Sequence, residues 1–315
     1  MTAKLDVMTL IDPEVAEALV ALDLRLGELS DARLLSIRER LAAVPLPPLS
    51  DAVERRDHAV PERPPVSVRV HRDKSASGQR PCIYWMHGGG LILGSNIGDD
   101  PRFDRWCPRL GCVGVSVNYA LAPEAKYPGP LEDCYAGLKW VHAHAQELGI
   151  DATRIGIGGA SAGAGLAAGL ALLVRDRGEM PVAFQALIYP MIDDRQITVS
   201  SGWNDPVWPP NANRYGWDSY LGDMNNNDVP HYAAAARATD LRGLPPTYIS
   251  VGALDGFADE DIDYANRLRH AGVPVELHVY PGAPHGFDGL TPGTAIAKRA
   301  NRDIAEWLAI QLQGR

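Results

Sequence analysis

Apolar and polar positions follow two periods along this chain. Between residues 13 and 44, Leu19, Leu22, Leu26 and Leu29 recur at helical spacing. Pro13 follows Asp12 at a helix start, so the stretch reads as two helices. The Pro-rich segments VPLPPLS (44–50) and VPERPP (60–65) break helices and read as connectors. Short apolar runs then take over. Strands are predicted at Val66–His71 and, past the polar break DKSASG, at Cys82–Met86. From there the two periods alternate. Helices are predicted around 100–110, at Leu131–Leu148, Ala162–Arg177, Asp259–Ala271 and 295–312. Strands fall between them at Val113–Asn118, Arg154–Gly158, Phe184–Tyr189, Thr247–Val251 and Val275–Tyr280. Such alternation predicts an α/β fold with a mostly parallel sheet covered by helices on both faces.

The segment 191–244 breaks the rhythm. It carries Trp203, Trp208, Tyr215, Trp217 and Tyr220 among Asn, Asp and Pro. Long irregular insertions are usually functional. The aromatics suit a lid over an apolar pocket, or a small core of the insertion's own; the two readings are compatible. No repeat or low-complexity tract is visible.

Composition narrows the chemistry. The 315 residues are 46% hydrophobic and 22% charged, ordinary for a globular protein. The length allows two domains, yet α/β folds reach this size as one. A formal net charge of -9 argues against nucleic acid or anionic membrane as partner, since both call for clustered Lys and Arg. It suits a protein handling neutral or apolar small molecules. The four cysteines, Cys82, Cys107, Cys112 and Cys134, form no C-x-x-C pair and read as buried, reduced thiols. MTAKLDVMTLIDPEV carries acids and no apolar core, unlike a signal peptide. The longest apolar stretch, Ala164 to Val174, is too short for a bilayer. A cytoplasmic protein without a membrane anchor is expected.

Gly159-Ala160-Ser161-Ala162-Gly163 lies where a predicted strand meets a predicted helix, and fits G-x-S-x-G. A serine held on so tight a turn needs small neighbours, or strand and helix collide. Gly159, Gly163 and Gly165 supply that room, and the helix start brings backbone N–H groups close. Other readings are weaker. A phosphate loop needs a lysine that is absent. The nominal G-x-G-x-x-A from Gly163 begins inside the helix, with no acid closing the next strand. Tight helix–sheet packing remains the plain structural alternative for this motif alone. Strand Cys82–Met86 runs into His87-Gly88-Gly89-Gly90, a loop whose amides are free to aim into a site. Gly88, Gly89 and Ala162 N–H are the candidate oxyanion donors. His87 reads as the loop's anchor, not as a base.

The candidate base is His285, in the Gly/Pro-rich PGAPHGF after a late strand. His142 and His144 lie two apart on a helix and cannot share a site. His278 is inside a strand, and the rest sit in polar or connector contexts. Asp255, directly after Thr247–Val251, is the candidate acid. Asp259 is the runner-up, better explained as a helix N-cap. The order Ser161, Asp255, His285 is the one that strand–turn–helix chemistry uses. No metal-ligand spacing and no cofactor motif is found.

Taken together, HGGG (87–90), NYALAPEAKYPGPLEDC (118–134), GGASAG (158–163), YPMIDDR (189–195), YLG (220–222), LPPTYISVGALD (244–255) and HGF (285–287) resemble the α/β-hydrolase fold. Within it they resemble the hormone-sensitive-lipase-like group of bacterial carboxylesterases, from about residue 66 to the end. The resemblance implies cofactor-free hydrolysis of short-to-medium acyl esters. It implies a cap made of N-terminal helices (1–50) and the 191–244 insertion, over a catalytic domain of 51–190 and 245–315. Leu91, Tyr189 and Trp208 become candidates for the substrate pocket, and a sheet edge near the last strand a candidate homodimer contact. The sequence departs from the group's pattern at Ala160, often acidic or Thr; at Ala164, often Gly; at Leu91, often aromatic; and at Ala120, often Arg. These positions bear on substrate preference and remove no candidate catalytic group. A same-fold amidase, peptidase or lactone hydrolase shares the chemistry. A ligand-binding protein on this scaffold typically lacks the histidine, which is here.

Overall fold

The computed structural model describes residues 6–22, 24, 26–61, 63, 66–224 and 228–313. Parts of two connector or terminal readings, residues 1–5 and positions 62, 64 and 65, lie outside the described residues. The chain opens with α1 (Pro13–Val20), capped by the Asp12 carboxylate accepting from Glu14 N–H, and α2 (Leu34–Ala42). Next come β1 (Val53–Ala59), β2 (Ser67–Asp73) and β3 (Arg80–Met86). The alternation then runs α3 (Asp100–Leu110), β4 (Val113–Asn118), α4 (Gly129–Ala143), β5 (Ile150–Ala160), α5 (Ala162–Arg177) and β6 (Gln185–Ile188). After α6 (Pro210–Leu221) it resumes with β7 (Thr247–Gly252), α7 (Ala258–His270), β8 (Val275–Tyr280), the one-turn α8 (Phe287–Leu290) and α9 (Ala295–Leu312).

One eight-stranded sheet results, in the order β1-β2-β4-β3-β5-β6-β7-β8. β1 pairs antiparallel with β2, and β2 with β4; every later pairing is parallel. The predicted α/β architecture is the observed one. β1 is an addition. Its sequence VERRDHA has charge at every second position or closer, as suits an edge strand, and hides the period-2 signal. β5 also starts earlier than expected, at Ile150, and α4 stops earlier, at Ala143.

The pleat divides β3 between two cores. Cys82, Tyr84 and Met86 join the larger cluster with α4, α5 and α7. Ile83 and Trp85 join the other, with Phe103, Trp106 and Cys107 of α3 and Ile304, Trp307 and Leu308 of α9. A strand buried on both faces reads as a continuous apolar run, which is what Cys82–Met86 is. The four cysteines are free and buried. The insertion's aromatics divide differently from a core of its own: Trp217 and Tyr220 enter the larger core of the sheet, while Trp208 packs on that core and borders a cavity. No helix among the described residues is long and apolar enough to cross a membrane.

The chain visits β3, then β4 to one side, then β5 to the other. Ligands in open α/β sheets bind at such a reversal, outside the strands' carboxyl ends. Met86 pairs with Gly159, so the HGGG loop and the G-x-S-x-G turn leave the sheet side by side.

Candidate active site

Ser161 separates β5 from α5 with φ 56° and ψ -123°, a region L-residues rarely occupy. Neighbouring backbone pins it there. Ser161 N–H donates to Ile188 O (2.9 Å), and Ser161 O accepts from Gly165 N–H (3.0 Å) and Met191 N–H (3.1 Å). The glycines provide space. A Cβ on Gly159 would lie 2.3 Å from the Gly163 carbonyl carbon, and one on Gly163 2.1 Å from Met86 O. Gly165 allows an approach different from the expected helix–sheet one: its Cβ would meet Met191 O, in the loop after β6, at 2.1 Å.

His285 follows β8 and Asp255 follows β7; the parallel pairing of these strands brings the two loops together. His285 Nδ1–H donates to Asp255 Oδ2 (2.8 Å), which leaves Nε2 to accept the Ser161 hydroxyl (2.8 Å). Asp255 Oδ1 accepts from Phe257 N–H (2.9 Å). The imidazole is gripped edge-on by Tyr189 and Phe257, at 4.7 and 5.0 Å between ring centres. All three residues are buried. Burial pushes the His285 pKa down, but Asp255, with Asp205 and Asp288 behind it, outweighs that and holds it above the ordinary histidine value. Asp259 stands apart. Its carboxylate accepts from Ser200 N–H (2.8 Å) and so ties the insertion to α7, while Phe257 takes the N-cap position expected of it.

The HGGG loop folds back at Gly89 (φ 123°), whose carbonyl accepts from Ile92 and Leu93 N–H. A Cβ there would stand 2.2 Å from Leu93 O. Among the described residues, neither Gly88 nor Gly89 N–H donates to another group, and Ala162 opens a helix whose first N–H groups have no intrahelical acceptor. His87 points elsewhere. It stacks on Tyr119 (4.2 Å), its Nδ1–H donates to Gly88 O (2.9 Å), and burial lowers its pKa to about 4. It is a neutral anchor of the loop.

An apolar cavity of about 650 Å³ opens onto Ser161 and His285. Its floor includes Gly88, Gly89 and Ala160, and its walls Tyr189, Val207 and Trp208. Leu91, expected in this wall, is not among its lining residues. It is buried with φ 68°, because the turn at Gly89 and Gly90 swings it into the core; Leu93 and Leu121 line the cavity instead. Residues the sequence reading did not single out complete the site. Leu24, Leu26 and Leu41 close the cavity from the N-terminal segment. Arg38 also reaches it, but its guanidinium is engaged by Ile92 O, Ala122 O and Glu124. Asp288 accepts from Tyr189 hydroxyl (2.6 Å), and Asp205 accepts from His285 backbone N–H (2.8 Å). The only sequence signal for Asp205 is the turn-forming Asp-Pro of DPVW.

Residues 83–289 match a protein family described as the alpha/beta hydrolase fold. The esterase LipI of Mycobacterium tuberculosis is 32% identical over 310 residues, 96% of each chain. The carboxylesterase NlhH of the same organism is 34% identical over 230 residues, 70% of this chain and 71% of that one. Among solved structures, a bacterial heroin esterase superposes with a TM-score of 0.89 at 41% identity, covering 97% of this chain and 99% of that chain. The hyperthermophilic esterase from the archaeon Pyrobaculum calidifontis does so at 0.83 and 31%, covering 95% and 98%. The hydrogen-bonded serine on its strand–helix turn, the glycine loop beside it and these likenesses converge: the chain belongs to the α/β-hydrolase family, in its hormone-sensitive-lipase-like group of carboxylic ester hydrolases.

Proposed function

We propose that this ester hydrolase works through an acyl-enzyme formed on Ser161, with His285 as general base and Asp255 as its orienting acid. Ser161 Oγ attacks the ester carbon while Nε2 of His285 takes the hydroxyl proton. Negative charge develops on the former carbonyl oxygen, where Gly88, Gly89 and Ala162 N–H receive it; one such donor is worth about 3–4 kcal/mol. The tetrahedral intermediate collapses, and His285 returns the proton to the departing alcohol. Water, deprotonated by His285 in its turn, attacks the acyl carbon; the acyl–Oγ bond then breaks, His285 returns that proton to Ser161 Oγ, and the acid departs. Asp255 holds the tautomer and stabilises the imidazolium. The observation carrying this reading is the row Asp255–His285–Ser161, joined by two 2.8 Å contacts at the floor of the cavity.

The cavity's apolar lining and size support short-to-medium acyl chains as substrates. Residues 1–50 and 191–244 act as the cap. Tyr215 of α6 donates to Asp31 (2.9 Å) and Asn211 to Gly27 O (2.7 Å), which joins the two segments above the site. A p-nitrophenyl ester series from acetate to laurate, run beside Ser161→Ala, tests the reading. Turnover is expected to be best on the shorter half, with kcat about a million-fold lower in the variant. Turnover surviving in Ser161→Ala would overturn the mechanism, and a laurate optimum the chain-length assignment. The matching anilides are expected to be poor substrates.

A further inference from the structure

Asp205 lies in the insertion, far from the catalytic segments in sequence, yet it is almost wholly buried beside them, at 1% exposure. Both carboxylate oxygens are committed. Oδ2 accepts from His285 backbone N–H (2.8 Å); Oδ1 accepts from Val207 N–H (2.7 Å) and Trp208 N–H (2.9 Å). This turn delivers the Trp208 ring onto the HGGG loop. A Cβ on Gly90 would stand 2.1 Å from the ring, and one on Gly216 of α6 2.6 Å from Gly90 O. Trp208 Nε1–H is held in turn by Asn213 Oδ1 (3.2 Å). Four residues of the insertion therefore touch the base loop at one end and the oxyanion loop at the other.

We propose that Asp205 is a positioning residue, part of a strut from Asp205 to Trp208 that sets His285 in register with the oxyanion loop and adds a second negative charge behind the imidazolium. The proposal rests on the Ser161–His285 reading above. Its physical basis is the donor set. Three N–H groups converge on one carboxylate from two sides, and only an acceptor at both oxygens satisfies them. Asparagine has one acceptor, so its amide NH₂ must face an N–H on one side. The charged and titratable groups around His285 are Asp255, Asp205 and Asp288 together with Ser161 and the Tyr189 hydroxyl; Asp205 itself faces Asp255 and His285. Burial and the Asp255 charge raise the Asp205 pKa to about 6, so the carboxylate is ionised in assays above about pH 7.

The test is Asp205→Asn, assayed on p-nitrophenyl acetate, with active sites counted by a fluorophosphonate so that misfolded enzyme does not enter kcat. Expected are a tenfold to hundredfold lower kcat per titrated site, little change in KM, and the acid limb of kcat/KM moved to lower pH by about half to one unit, because the imidazolium has lost a neighbouring charge. An unchanged kcat per site with an unmoved limb would overturn the proposal, since a purely structural carboxylate alters only the fraction of active enzyme. Trp208→Ala keeps the carboxylate and removes the other end of the strut. It is expected to lower kcat on acetate with the acid limb in place, and unchanged kcat would remove the strut. Ser161→Ala in parallel separates the two readings: full turnover there defeats the mechanism itself, whereas a dead Ser161→Ala beside a wild-type-like Asp205→Asn defeats only this inference.

Discussion

Ser161 adopts a strained backbone because three neighbouring carbonyl and amide groups hold it there, and this exposes its Oγ to His285. The proposed acid is a matter of which carboxylate reaches the ring. Asp255 does, at 2.8 Å, whereas Asp259 is bonded to Ser200 in the insertion. Asp255→Asn is therefore expected to lower kcat by about ten-thousandfold, by analogy with other triads. Asp259→Asn is expected to cost less than tenfold; steady-state kinetics on one short ester compares them. The pH dependence has a definite sign. On the proposed mechanism only neutral His285 accepts the serine proton, so kcat/KM is expected to rise with pH through its pKa, which the surrounding carboxylates hold above the ordinary histidine value. A pH–rate profile measures it. At this scale the sequence was readable wherever a motif carried its own steric reason, as with Gly159, Gly163 and His87. It was silent on Asp205 and Asp288, whose partners lie 80 and 99 residues away in the chain.

β3, β5 and α5 form the unit that places Ser161, the proposed nucleophile. A methyl on Gly163 would press on Met86 O and His87 O at 2.1 and 2.4 Å, the carbonyls from which the HGGG loop departs. Gly163→Ala is expected to lower stability by about 1–3 kcal/mol or more, as overpacking does. It is also expected to depress kcat per folded molecule, because strand and turn must separate at the site. Urea unfolding with active-site titration reads both effects. Elements with a strong period were legible: β4, α5 and β8 have the bounds the pattern implies. β1 was not, because an edge strand with one shielded face is filled with charge. Leu91 was misplaced for a related reason. The family resemblance implies a wall there, but a turn at two successive glycines with positive φ reverses the loop, and only the folded backbone shows that.

Across the whole molecule, burial of acids sets how stability answers pH. Desolvation raises Asp99 from 3.8 to about 7 and Asp205 to about 6. The folded state then binds these protons more tightly than the unfolded chain. Their contribution is fully present below about pH 4 and is lost as pH rises towards 6 to 7. Asp99→Asn, which has no charge to bury, is expected to raise Tm relative to the parent more at pH 8 than at pH 5. Equal shifts at the two values would contradict this account; differential scanning calorimetry decides it.

By itself, the sequence determined the layered α/β fold, since period-2 and period-3.6 segments in alternation have few ways to bury their apolar faces. It also determined the local devices: a glycine-flanked serine at a strand–helix junction, and a glycine loop after a buried strand. Tertiary structure decided what those devices face. The sheet order put Met86 beside Gly159 and the β7 loop beside the β8 loop, which brought Asp255, His285 and Ser161 within hydrogen-bond reach. It closed the cavity with leucines from the N-terminal segment and carried Asp205 beneath His285. Those contacts join residues far apart in the chain, and their register is set by the packing of the whole sheet and the segments laid on it, which no local pattern encodes.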